Sequence, residues 1–226
     1  MVTVKEWNIE NYFELKRLYS DKYKFNLIVN KDDLTIDYLN EVKPRYIFFP
    51  HWSWIIKKEI FNMFNCVVFH MTDLPYGRGG SPFQNLIINK VYDTKISALR
   101  VASGLDTGDI YLKEDFNISV GSAEENFMQL SRIIFQKMIP NFLNNELVGV
   151  PQAGEVVEFK RRKHEDSDIA SHNMHSIIDM YDSVRMLDAE GYPKAYVDVG
   201  RLKIEFSEVH LRSNKLVGRF EVIKNE

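Results

Sequence analysis

One cysteine, Cys66, stands among 226 residues, which excludes an internal disulfide and any metal site built from a cysteine cluster. Long apolar runs are missing as well, since none approaches the roughly 20 residues needed to cross a bilayer. The opening residues, MVTVKEWNIEN, lack the basic region, apolar stretch and cleavage site of a secretory signal, so a cytoplasmic protein with no membrane partner is expected. There is no Walker-type loop, and no GxGxxG follows the first expected strand, so the ordinary phosphate cradles are absent. Charge of one sign is not in excess: 29 Lys and Arg oppose 32 Asp and Glu, a net charge of −3. That balance argues against the broad basic face of a nucleic-acid binder while leaving room for a local basic patch. The six histidines show no metal-ligand spacing, and no metal is expected.

What is present is ordinary for a globular protein, with 45% hydrophobic and 27% charged residues. Strand-like and helical patterns alternate through the first two thirds. Val2–Trp7, Phe25–Val29, Tyr46–Pro50 and Cys66–His70 read as strands. Tyr12–Tyr19, Leu34–Val42 and Ile55–Phe64 read as the helices between them, the second ended by Pro44. Continuous apolar strands separated by helices predict an α/β fold with a mostly parallel sheet covered on both faces. In such sheets ligands bind beyond the carboxyl ends of the strands, where His70 and His51 fall. Farther on, Pro82–Lys90 reads as a helix, and Lys95–Val101 and Asp109–Ile118 as strands. Ser122–Leu147 reads as the longest helix, opened by a capping box of Ser122 and Glu125. After the turn-rich Gly149–Gly154 the pattern changes. Val156–Arg161 predicts a strand, Arg162–His172 a polar loop and Ile177–Leu187 a helix. Tyr196–Val199, Leu202–His210 and Leu216–Ile223 alternate as antiparallel strands do. Residues 1–150 are therefore expected to form one domain and 151–226 a small α+β domain.

Chemistry concentrates in HMTDLPYGRGGSP, His70–Pro82, and in LDTGD, Leu105–Asp109. A histidine at a strand end followed by three glycines between two prolines suits a stiff, preorganised loop. Taken alone, His70 is as readily a buried histidine bonded to backbone. Asp106 is either a turn aspartate or the carboxylate that orients His70. Trp52 and Trp54 either cap the core or wall a flat aromatic pocket. Cys66 is assigned to the core, and Arg161–Lys163 to a solvated charge run.

Together these residues resemble the folate-dependent formyltransferases, whose pattern is N-x-H, S-L-L-P, R-G and P, followed by L-D-x-G. Here it reads Val68-Phe69-His70, then DLP, GRGG and SP, then LDTG. The segment HWSWIIKKEIF is similar to the family's border of the folate pocket, and the resemblance spans roughly residues 24–147. It implies a Rossmann-like formyltransferase fold, 10-formyltetrahydrofolate as formyl donor and a primary amine as acceptor. It also implies that His70 and Asp106 carry the reaction and that Trp52, Ser53, Trp54, Ile55 and Leu105 hold the folate. One position departs: Val68 stands where the family places a catalytic asparagine, and Asn85 is expected to replace that donor. The C-terminal DMYDSVRMLDAEGYPKAYV resembles the tail of members that formylate sugars. A nucleotide-linked amino sugar is therefore the expected small-molecule acceptor, met by Trp7, Asn8, Arg78 and Gly79, in a protein that suits a homodimer. Methionyl-tRNA as acceptor, or a non-catalytic folate- or nucleotide-binding relative, stand as alternatives.

Overall fold

In the computed structural model of this chain, which describes residues 1–224, the strand expected at Val2–Trp7 shrinks to one point of pairing. Val2 bridges Ile28 in parallel and donates its N–H to the Phe48 carbonyl at 2.9 Å. Helix α1 then begins at Glu6 and runs to Tyr19. Asn8, Tyr12 and Leu15 are all buried and recur at helical spacing, so a helix buries one continuous face where a strand would have exposed half of it. The strand expected at Phe25–Val29 is likewise reduced to the bridge at Ile28.

Down the chain follow α2 (Ile36–Val42), β1 (Ile47–Phe49), α3 (Lys58–Met63), β2 (Cys66–His70), β3 (Tyr76–Gly79), α4 (Pro82–Ile88), β4 (Asp93–Arg100) and β5 (Ile110–Asn117). The four-stranded sheet has the order β1-β2-β4-β5. β1 and β2 are parallel, and β4 joins β2 antiparallel, with His70 opposite Ser97. The fold is α/β, with the parallel pairing on the side where Ile28, Val2, β1 and β2 lie side by side. The Thr35 hydroxyl caps α2 by accepting from the Tyr38 N–H at 3.3 Å, and Lys43 ends it in the left-handed region just before Pro44. Helix α3 is shorter than expected because no side chain caps its start, leaving residues 54–57 irregular.

The long helix is interrupted. α5 (Ala123–Ile133) and α6 (Ile139–Asn144) are joined by a π-helical turn, Ile134–Met138. The Ile139 N–H reaches back five residues to the Ile134 carbonyl. Pro140, next in line, has no N–H to offer and would crowd the carbonyl four residues earlier, which the wider turn relieves. The expected capping box is present: Glu125 N–H donates to Ser122 Oγ at 3.2 Å, and Ser122 N–H to Glu125 Oε2 at 2.8 Å.

The chain divides into two compact units. The first comprises Met1–Arg78, Thr94–Phe116 and Met128–Glu158. Part of its core gathers Val2, Ile28, Leu39, Ile47, Phe49, Ile60 and Cys66. Burial pushes the Cys66 thiol up to about 12, so it stays protonated and inert in the core. The second unit holds Gly79–Asp93, Asn117–Phe127 and the described residues from Phe159 onward. After β6 (Val157–Phe159) come α7 (Ile177–Arg185) and the antiparallel sheet β7-β8-β9 (Ala195–Val199, Leu202–Arg212, Lys215–Lys224), close to the expected bounds. In this unit Phe83 of α4 meets Phe127 edge-on at 5.4 Å, and Gln84 donates to the Met186 carbonyl at 3.0 Å. The buried Arg185 donates to Asp182 Oδ1 at 2.7 Å.

Candidate active site

His70 is the last residue of β2, and each nitrogen of its buried ring faces an oxygen. Nε2 lies 2.7 Å from the Gly77 carbonyl; since a carbonyl only accepts, Nε2 carries the hydrogen. Nδ1 faces Asp106 Oδ2 at 3.5 Å. The sequence-expected pair is therefore brought together. The loop after His70 folds back on itself to make this possible. Ser97 donates to the Thr72 carbonyl at 2.7 Å and accepts the Leu74 N–H at 3.3 Å. Thr72 Oγ1 shares the Gly77 carbonyl at 3.3 Å. Lys113 binds Asp73 and the Leu74 carbonyl, each at 2.5 Å.

The LDTG turn is shaped by close approach. A Cβ on Gly108 would stand 1.7 Å from the Arg100 carbonyl oxygen, so no other residue fits without moving β4. Asp106 itself has φ of 53°, an uncommon conformation for a residue with a side chain. It is fastened by a residue that the sequence pattern gave no reason to single out. Gln152 Nε2 donates to the Asp106 carbonyl at 2.7 Å and to the Gly108 carbonyl at 2.8 Å. Its Oε1 accepts from Arg78 Nε at 3.0 Å and Nη2 at 2.8 Å. Arg78 was expected to meet substrate; its Nε and Nη2 are directed at Gln152.

Of the other expected contacts, those of Asn8 and Gly79 are corrected. Asn8 lies in α1 rather than in a loop after a strand, and is 1% exposed. Its amide donates to Thr3 Oγ1 at 2.9 Å and the Pro50 carbonyl at 3.2 Å, so it anchors the start of the PHWSW segment. Trp7 lies in the first turn of α1, edge-on to His51 at 5.9 Å, and its buried Nε1 has no hydrogen-bond partner among the described residues, so its expected contact is not overturned. Gly79 has φ of 110°, and a Cβ there would lie 2.3 Å from the Phe159 carbonyl oxygen, which gives it a backbone role in the β3–β6 pairing. Asn85 is corrected too. Its Nδ2 stands 3.0 Å from each of the Gly80, Ser81 and Lys160 carbonyls, so both amide hydrogens are committed and none is left for a reacting group.

The PHWSW segment brings two indole rings together. Trp52 and Trp54 stand with ring centroids 4.7 Å apart, and the buried Trp52 Nε1 has no hydrogen-bond partner among the described residues. Such an orphaned donor calls for an acceptor. Ser53 and Trp54 are exposed, and Ile55 and Leu105 present 97% and 71% of their surface. His51 has φ of 51°; burial, and then the Lys5 ammonium, draw its imidazole down to about 4, leaving it neutral near pH 7. Val68 shares the His70 face of β2, two residues away, and its side chain offers no hydrogen bond. Among the described residues no group of three or more His, Cys, Asp or Glu could hold a metal ion. No helix among them is long and apolar enough to cross a membrane.

Comparison with known proteins fits this geometry. A solved structure of methionyl-tRNA formyltransferase from Clostridium thermocellum is 48% identical, with a TM-score of 0.94, over 99% of this chain and 97% of that one. The chain belongs to the formyltransferase family. The sequence model of the methionyl-tRNA formyltransferase C-terminal domain matches residues 164–223. A methionyl-tRNA formyltransferase from Rickettsia typhi is 38% identical over 90 residues, 39% of this chain and 30% of the relative. The alignment with a methionyl-tRNA formyltransferase from Campylobacter lari reaches 49% of that protein, so the chain spans about half or less of these curated relatives. A sugar N-formyltransferase from Shewanella shares the fold, with a TM-score of 0.68 at 15% identity over 88% of this chain and 91% of that one.

Proposed function

We propose that the protein transfers a formyl group from 10-formyltetrahydrofolate to a primary amine, and that this amine belongs to methionyl-tRNA. The observation that carries the reading is the His70–Asp106 pair at 3.5 Å, set in a chain 48% identical throughout to a methionyl-tRNA formyltransferase. The match of residues 164–223 to the C-terminal domain of that enzyme class supports the tRNA acceptor. The amino-sugar acceptor expected from the sequence has the support of fold alone, at 15% identity; what favours it is the net charge of −3, low for a protein that grips tRNA.

The folate, held by Trp52–Ile55 and Leu105, would supply an activated formyl carbon. Trp52 Nε1 would donate to an acceptor on its ring, and Trp54, Ile55 and Leu105 would cover its faces. The His70 Nε2–H, donated to Gly77 at rest, would turn to the formyl oxygen as negative charge grows there on attack by the amine. One such donor is typically worth about 3–4 kcal/mol of barrier. Asp106, beside His70, would take up the proton shed by the attacking nitrogen and pass it to the folate nitrogen as the bond from that nitrogen to the formyl carbon breaks and tetrahydrofolate leaves. Arg78 and Gln152 act on the protein side of this pair, away from the reacting groups.

The deciding measurement is formyl transfer from 10-formyltetrahydrofolate to charged methionyl-tRNA and to a panel of 4-amino-sugar nucleotides. Formylated tRNA with no sugar product is expected, with filter binding of tRNA that weakens steeply as salt rises. Turnover of a sugar nucleotide alone would reassign the acceptor, and turnover of neither would leave a folate-binding relative.

A further inference from the structure

We propose that Gln152 is a positioning residue for this reaction, one that locks together the two groups holding the His70 ring. The inference rests on the catalytic reading of His70 and Asp106 given above. The contacts run in a ring. His70 Nε2 donates to the Gly77 carbonyl; the next residue, Arg78, donates twice to Gln152 Oε1; Gln152 Nε2 donates to the Asp106 carbonyl; and the Asp106 carboxylate faces His70 Nδ1 at 3.5 Å. The backbone that carries the Gly77 carbonyl is thereby linked, through Arg78 and Gln152, to the backbone that carries the Asp106 carboxylate.

The amide of Gln152 is saturated. Two donors go to two carbonyls, and its oxygen takes two hydrogens from one guanidinium. Its orientation is dictated, because guanidinium only donates and carbonyl only accepts. The attachment point is also telling. Asp106 sits at φ of 53°, a conformation that persists only where surroundings over-determine it, and Gln152 binds the carbonyl of that same residue. A carboxylate aimed at an imidazole from an unfavourable backbone conformation needs such a fastener. Gln152 is chemically placed to be it.

The test uses the full chain with Gln152→Glu and Gln152→Ala. Glu keeps an acceptor for Arg78 but has no N–H for the two carbonyls, so it isolates the fastening half and carries the test if Ala fails to fold. The first readout is independent of activity: in histidine-15N-labelled protein, the His70 Nε2–H held by Gly77 gives a slowly exchanging ring signal, assigned by its loss in His70→Asn. In both Gln152 variants this signal is expected to vanish or exchange at least about ten-fold faster, with the backbone spectrum still dispersed. The second readout is kinetic: kcat falls about ten- to hundred-fold while KM for folate and acceptor stays within about two-fold. In a His70→Asn background the same substitutions should change the residual rate by less than about two-fold, because Gln152 acts through His70. A Gln152→Glu protein with wild-type ring signal and wild-type kcat overturns the proposal. If even the wild type formylates no amine, the ring signal decides alone: its change upholds the positioning role and places the failure in the catalytic reading, and its constancy overturns the role.

Discussion

His70 Nδ1 faces Asp106 Oδ2 at 3.5 Å across the ends of two different turns, each side chain little exposed. The separation is longer than a good hydrogen bond, as catalytic contacts often are without substrate. His70→Ala is therefore expected to lower kcat for formyl transfer by about 10²–10³-fold. Asp106→Asn, which keeps the shape and removes the charge, should lower it by about 10²-fold. Steady-state kinetics on folded variants checks both, and a His70→Ala enzyme at full turnover would sink the mechanism.

Gly108→Ala should damage the fold as well as the site. Its added methyl carbon would overlap the Arg100 carbonyl oxygen, 1.7 Å away, and the Arg100 N–H is tied to the Asp109 carbonyl at 2.9 Å. Either β4 or the turn must move. A cost of about 2–4 kcal/mol is expected, which for a chain of this size lowers Tm by roughly 5–15 °C, with kcat falling in parallel as Asp106 leaves His70. Differential scanning calorimetry and kinetics on the same sample test both halves.

The parts of this site that could be read from the sequence are local, and the parts that could not are distant. His70 and its loop announce themselves through a strand ending in histidine and a dense run of Gly and Pro, and the LDTG turn through its own composition. The Ser122–Glu125 box was legible because both partners lie within one turn of helix. Gln152 was not. Its partners Arg78 and Asp106 are far away in the chain, and the GVPQAG segment reads as a link. The first strand failed for a different reason. Val, Thr and Trp favour a strand locally, but the buried face of Asn8, Tyr12 and Leu15 lets tertiary burial overrule that preference. Asn85 looked like a spare donor only because the three carbonyls it serves lie in backbone that a sequence does not display.

His51 gives the protein an acid-sensitive element. Its folded value is about 4 against an ordinary 6.5, so below pH 6.5 the unfolded chain takes up a proton that the folded one refuses. Stability falls as pH drops from 6.5 towards 4 and levels off below that, a loss of at most about 3–4 kcal/mol from this group. His51→Asn, which tolerates the left-handed backbone, should flatten that part of the profile. Urea melts of both proteins between pH 4 and 7 measure the difference, and identical slopes would remove His51 as the cause.

Arg185 and Asp182 form the tightest polar knot of the second unit. Arg185 is 1% exposed, its Nη1 donates to the Gly121 carbonyl at 3.0 Å, and its Nη2 has no partner among the described residues. Asp182 serves Lys90 at 2.9 Å and the Tyr92 hydroxyl at 2.6 Å as well. Asp182→Ala strands a buried guanidinium and should cost about 3–5 kcal/mol. Replacing both residues by apolar ones of similar volume should recover part of that loss. Urea denaturation of the single and double variants decides; a single variant within 1 kcal/mol of wild type, by the same principle, would mean solvent reaches the charge.

Val68 is where the chain departs from the family pattern, and its position makes the departure testable. Residues 66, 68 and 70 alternate onto one face of β2, so a side chain at 68 points to the same side as the His70 ring. Val68 pairs with Phe49 on one flank and Leu99 on the other, in a strand already held by two neighbours, and the substitution Val68→Asn should leave that pairing intact. An amide there would add a second donor beside the Nε2–H of His70, aimed where charge develops on the formyl oxygen. If that oxygen is held by one donor in the wild type, the second should raise kcat by about ten-fold or more, at a stability cost of about 1–2 kcal/mol for a polar group in a half-buried apolar site. The gain should persist, changed in size, in a His70→Ala background, since two donors to one oxygen are coupled but each acts on it directly. A Val68→Asn enzyme that is folded yet no faster would show that the oxygen is already fully held by other groups.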